Sequence, residues 1–125
     1  MKLGAEKGEL ILYVSDMEAA VEFWSVGIGL EVLSPAPAPN AWKDEHWVVL
    51  EAGSFNLCLH SGGSFQTESV TSFSLMAADF EASLDNLTER GILHSGILNP
   101  HPGVVFAEVR DPDGRIFFIK PSLLA

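Results

Sequence analysis

Residues Asp16–Trp24 read DMEAAVEFW, and Asp79–Leu87 read DFEASLDNL. Asp16 matches Asp79, Glu18 matches Glu81, Ala19 matches Ala82, and Val21-Glu22 return as Leu84-Asp85. A recurring phrase in a chain of 125 residues points to a duplicated unit rather than to one continuous fold. The surroundings recur as well. Before the first copy stands ELILYVS, rich in strand formers, and before the second stands VTSFSLMA. Within the first copy Met17, Ala20, Val21 and Trp24 fall on one helical stripe, and Gly27 and Gly29 follow as stop signals. Phe80, Leu84 and Leu87 mark the second helix, ended by Gly91. Ser15 and Glu18 have capping-box spacing, which predicts Ser15 as the helix cap.

Beyond each helix the pattern is strands. LEVLS reads as a strand and PAPAP as a stiff extended loop, and HWVVLEAG and SFNLCLH are strands joined at Ala52-Gly53. In the second half, ILHSGILNPHPG reads as a short strand running into a Pro/Gly loop with His101 at its tip. VVFAEVR and RIFFIKP form a hairpin across DPDG, where Pro112 and Gly114 suit a turn. His60–Ser69, small and polar, is the expected linker. The result is an α+β fold of two βαβββ modules, roughly 8–61 and 70–121, within a single domain spanning 1–125.

Composition narrows the functions. Seventeen acidic against seven basic residues, a net charge of −10, argue against a phosphate-backbone partner, so no nucleic acid is expected. The longest aliphatic and aromatic run, LILYV, is far too short to span a membrane. The N-terminal MKLGAEKGEL lacks a signal-peptide core, and the lone Cys58 cannot form an intrachain disulfide, so a cytoplasmic location is expected. A hydrophobic content of 47% with 19% charged residues describes a globular chain.

With paired βαβββ modules, LYVSDMEAAVEFW, GIGLEV, LCLH and RDPDGRIFF, the chain resembles the vicinal oxygen chelate superfamily. That superfamily holds glyoxalase I, bleomycin-resistance proteins and extradiol dioxygenases, and the likeness runs roughly from Gly8 to Pro121. It implies that the modules curl into a cup holding a ligand, and that the protein pairs as a homodimer, with modules joined within one chain or exchanged between two. Strand alternation then sorts the side chains. Leu10, Leu12 and Val14, Phe55, Leu57 and Leu59, and Phe73 and Leu75 should lie under the helices. The expected ligand-binding set is Tyr13, Asn56, Cys58, His60, Ser72, Met76 and Phe118, with Glu9, Ile11, Ser74, Ile116 and Lys120 on the same faces.

Metal-using relatives place one ligand on the first strand of each module and one on the last. Seven positions before the helix-leading Asp stand Glu9 and Ser72, and the two last-strand positions map to His60 and Phe118. Ser72 is a poor ligand and Phe118 is none, so no metal or other cofactor is expected; Glu9 and His60 are the pair for a divalent ion if one binds. His46, His94 and His101 have no spacing that recommends them. Trp42, Trp47 and Tyr13 are candidates for stacking on a flat guest, with structural packing the plainer role. Arg110 is expected to pair with a nearby acid.

Three functions remain open at this point. The first is binding or sequestering a small molecule, cationic or planar and aromatic, as the bleomycin-resistance members do. The second is metal-dependent lyase, isomerase or dioxygenase chemistry. The third is a non-catalytic regulatory dimer.

Overall fold

The computed structural model describes residues 7–62 and 72–122. The chain divides into two compact units, Met1–Phe65 and Gln66–Ala125. In unit 1, strand β1 (Gly8–Val14) leads into helix α1 (Met17–Val21), which widens into a π-helical turn over Glu22–Gly27. Then come β2 (Val32–Ser34), a 3-10 turn at Trp42–Asp44, β3 (Trp47–Glu51) and β4 (Phe55–Ser61). Unit 2 repeats the plan with β5 (Ser74–Ala77), α2 (Phe80–Glu89), β6 (Leu98–His101), β7 (Val104–Arg110) and β8 (Ile116–Pro121). The sheets share one order, β1-β4-β3-β2 and β5-β8-β7-β6, with the outer pair β1/β4 or β5/β8 parallel.

The shared Asp explains the repeated phrase. Asp16 Oδ1 accepts from the Ala19 amide at 3.0 Å, and Asp79 Oδ1 accepts from the Ala82 amide at 3.1 Å. Asp16, not Ser15, is therefore the N-cap of α1: the helix begins at Met17, one residue later than the Ser15–Glu18 spacing implies. The helical stripe is as read, since Met17, Ala20, Val21 and Trp24 are all buried. The π-turn is closed by the Ile28 amide donating to Phe23 O at 2.8 Å.

Helix α1 packs on β4, and α2 on β5 and β8. Beneath α1, register puts Leu12, Leu59 and Val48 in one row and Leu10, Leu57 and Leu50 in the next, all buried but the half-buried Leu10. In unit 2 Phe117 and Ile119 of β8, with Ala107 and Val109 of β7, are the buried counterparts, joined by Phe80, Leu84 and Leu87 from α2. Gly53 (φ 89°) makes the β3–β4 turn and Gly114 (φ 82°) the β7–β8 turn, backbone angles that side chains with a Cβ rarely adopt.

The β7–β8 hairpin is held by a buried acid. Asp111 Oδ1 accepts from the amides of Asp113 (3.0 Å) and Arg115 (2.8 Å), and Oδ2 takes the Arg115 guanidinium. Burial pushes the Asp111 carboxyl up from its ordinary range, while those amides and Arg115 pull it back. Among the described residues the expected Arg110–acid pair does not form: Arg110 donates to the Gly114 carbonyl at 3.1 Å, and the adjacent Asp111 pairs with Arg115.

One segment reads differently in three dimensions. Asn99, Pro100 and His101, expected in a loop, belong to β6, the edge strand of its sheet. Proline lacks an amide donor, and only an edge strand has a side on which that loss costs no ladder bond. Of the expected linker, His60–Ser69, residues 63–69 lie outside those described; His60 and Ser61 themselves end β4. Among the described residues no helix is long and apolar enough to cross a membrane.

Candidate functional site

On the face of unit 1 turned away from α1, strands β1, β4 and β3 align three rows of side chains. The first is Tyr13, His60 and Trp47, the second Ile11, Cys58 and Val49, and the third Glu9, Asn56 and Glu51. Neighbouring strands in a sheet lie about 5 Å apart, so each row is a line of side chains in mutual reach. Sequence parity therefore places Tyr13, Asn56, Cys58 and His60 together as expected. It missed Glu51 and left Trp47 undecided. The alternation in WVVLE, with Val48 and Leu50 pointing inward, was the signal for both.

The aromatic row is open. Tyr13 is 43% and Trp47 37% exposed, flanking a half-buried His60. The Tyr13 and His60 rings lie 5.2 Å apart at a 49° tilt, and Trp47 meets His60 edge-on at 5.8 Å. His60 Nδ1 lies 2.7 Å from the Ser61 carbonyl, which can only accept. Nδ1 therefore carries the proton in the neutral ring, and Nε2 is left as an acceptor with no partner among the described residues.

The third row carries two carboxylates and the Asn56 amide. Asn56 Oδ1 is buried and has no hydrogen-bond partner among the described residues. Glu9 beside it is exposed and makes no ion pair among them. Glu51 is engaged: Lys7 Nζ donates to both its oxygens at 2.8 and 2.7 Å, and the Gly53 amide donates at 3.1 Å. The Lys7 hydrogen bond above all holds the Glu51 carboxyl below its usual range, against the opposing pull of desolvation. A buried acceptor left without a donor costs roughly 1–3 kcal/mol. Between these rows Cys58 is wholly buried, and burial, then the charge of Glu9, pushes its thiol up. A protonated, enclosed thiol is wall, not nucleophile.

Within each unit the two residues expected as a metal-ligating pair are out of register with one another. Glu9 stands opposite Asn56, and His60 lies four residues further along β4, about 13 Å at strand rise, opposite Tyr13. A shorter slip, of two residues, affects unit 2. Ser72 Oγ donates to the Ile116 carbonyl at 3.0 Å, whereas Phe118 stands opposite Ser74. The strand neighbours of Glu9 and Ser72 are thus Asn56 and Ile116, not His60 and Phe118. The other histidines do not substitute. His46 Nδ1 is 2.8 Å from Ser61 Oγ, and His94 is held at both nitrogens, by Thr88 Oγ1 at 2.9 Å and the Gly96 amide at 3.0 Å. His101 is exposed at the end of β6. Among the described residues no three His, Cys, Asp or Glu side chains gather as a metal site. The residues present do not fit a divalent ion held by the Glu9–His60 pair.

The remaining expected residues lie in unit 2. Phe118 is half-buried, edge-on to Phe106 at 5.2 Å. It shares a sheet face with Ser74 and with Glu108, its register partner on β7. Met76, 57% exposed, pairs with Lys120 two residues along that face. Ser72 is exposed just before β5.

No family model and no curated protein matches the sequence. Solved structures do match the fold. TnmS3, an antibiotic-binding protein from Streptomyces sp. CB03234, superposes with a TM-score of 0.74 at 24% identity, over 98% of this chain and 100% of that chain. A bleomycin resistance determinant encoded on the transposon Tn5 gives 0.74 at 17% identity, over 96% and 100%. A glyoxalase/bleomycin resistance protein/dioxygenase from Alicyclobacillus acidocaldarius gives 0.73 at 16%, over 98% and 96%. The chain has the glyoxalase/bleomycin-resistance fold.

Proposed function

We propose that this protein binds a small, flat, cationic molecule on the β1–β4–β3 face of unit 1, without a metal, and that it sequesters this guest rather than transforming it. The observation that carries the reading is chemical bias. Of the charged groups on its three rows, Glu51 is neutralised by Lys7, and the Glu9 carboxylate has no ion pair among the described residues. Asn56 Oδ1 and His60 Nε2 add acceptors without a partner there, beside the Asn56 and Trp47 N–H donors. Such a face favours N–H donors and positive charge, in a chain whose net charge is −10. Tyr13 and Trp47 supply exposed aromatic surface for a planar group, with cation–π attraction added. Two proteins of this fold are described as an antibiotic-binding protein and a bleomycin resistance determinant, which agrees with a binding role. The metal-dependent lyase, isomerase or dioxygenase reading finds no group of three His, Cys, Asp or Glu ligands among the described residues to support it.

Calorimetric titration with bleomycin, and with proflavine as a minimal planar cation, tests the proposal. Saturable binding of at least one probe is expected. Trp47→Ala should weaken it roughly tenfold through lost stacking, and Asn56→Leu should weaken it while leaving the melting temperature at or above the wild-type value. Absence of binding by both probes, or wild-type affinity in both variants, would overturn the reading.

A further inference from the structure

Unit 2 contains a hollow of about 390 Å3 lined by Met76, Gly103, Val104, Val105, Lys120, Pro121 and Ser122. Its volume lies within the roughly 300–1,000 Å3 of small-molecule sites. The wall is largely apolar, and two of its members are unusually open for their type, Met76 at 57% and Val104 at 41% exposure. The one charged group in the lining is Lys120.

Lys120 is half-buried, and its side-chain ammonium has no ion pair or hydrogen bond among the described residues. That is unexpected in a chain with seventeen acidic residues and seven basic ones. Partly buried charges ordinarily gain a partner, because desolvation otherwise costs them. The neighbour across the sheet is Met76, which offers no charge. The nearest acid on the same face of β7, Glu108, stands opposite Phe118, one row away, and makes no ion pair with Lys120. A single unneutralised ammonium at an apolar wall matches one kind of guest.

We infer that this hollow is a second binding site, for a small organic monoanion with an apolar body, such as a medium-chain or aromatic carboxylate. Lys120 holds the carboxylate, and Met76, Val104, Val105 and Pro121 cover the apolar part. A polyanion is disfavoured, since the lining offers one positive charge and the chain as a whole repels it. The site lies wholly in unit 2.

The test uses the whole protein carrying 13C-methyl methionine, titrated with octanoate, and with octylammonium as the charge-reversed control. Octanoate should saturate and shift the Met76 methyl, while the buried Met17 methyl stays still and octylammonium leaves Met76 unmoved. Lys120→Gln should weaken octanoate roughly tenfold with the Met17 signal unchanged, which shows the fold intact. Failure of octanoate to saturate, equal binding of octylammonium, or wild-type octanoate affinity in Lys120→Gln would overturn the inference.

Discussion

Phe117→Ala is expected to destabilise the protein by about 3–5 kcal/mol, the range for truncating a well-packed core phenylalanine. Phe117 is 0% exposed and stacks on Phe73, ring centroids 5.4 Å apart and 9° from parallel. It sits centrally in the buried face of unit 2, its register partner being the buried Val109. Its neighbour Phe118 points to the opposite face, is only half-buried, and has Phe106 as its aromatic contact. Phe118→Ala should therefore cost clearly less. Urea denaturation of both variants at matched m-values measures the difference. Equal losses would mean that the two faces of β8 are not distinguished as described.

Asp111→Ala should cost about 3 kcal/mol or more, measured the same way. Two hairpin amides lose their acceptor and the Arg115 guanidinium loses its carboxylate, in a place where the acid's side chain is 1% exposed. Asp111→Asn keeps an acceptor for the two amides and should recover part of that loss. The turn depends on these bonds as well as on Gly114, because the backbone itself contributes only the Asp111 N–Arg115 O and Gly114 N–Asp111 O contacts, each 2.9 Å. A variant with Ala at this position as stable as wild type would show that the clamp contributes nothing.

The features legible in the sequence are those set by near neighbours in the chain. The helix stripes, the DPDG hairpin and the inward alternation of Leu57 and Leu59 follow from residues a few positions apart, and all appear in the structure. Even locally, a one-residue ambiguity was beyond reach: Ser15 and Asp16 are both good caps, and only the start of the helix at Met17 chooses between them.

Register between distant strands is a different matter. Whether Glu9 meets Asn56 or His60 depends on how β1 lies against β4, a parallel pairing across more than forty residues that no local pattern encodes. Counting from the helix-leading Asp finds Glu9, but it cannot find the residue beside it. The same dependence hid Glu51, which enters the site only because β3 pairs with β4. Proline misled for a related reason. Pro100 signals a loop unless its strand is known to lie at a sheet edge, which is a fact of topology.

The central claim is that the acceptor-rich aromatic face of unit 1 holds a planar cation, and 1H–15N spectra of the protein titrated with proflavine test it most directly. The account predicts that the Trp47 indole and the Asn56 side-chain amide shift and saturate together with the backbone amides of Tyr13 and His60, while the fully buried Trp24 indole stays in place. Saturable shifts confined to other residues, with Trp47 and Asn56 unmoved, or no saturable shifts at all, would contradict it.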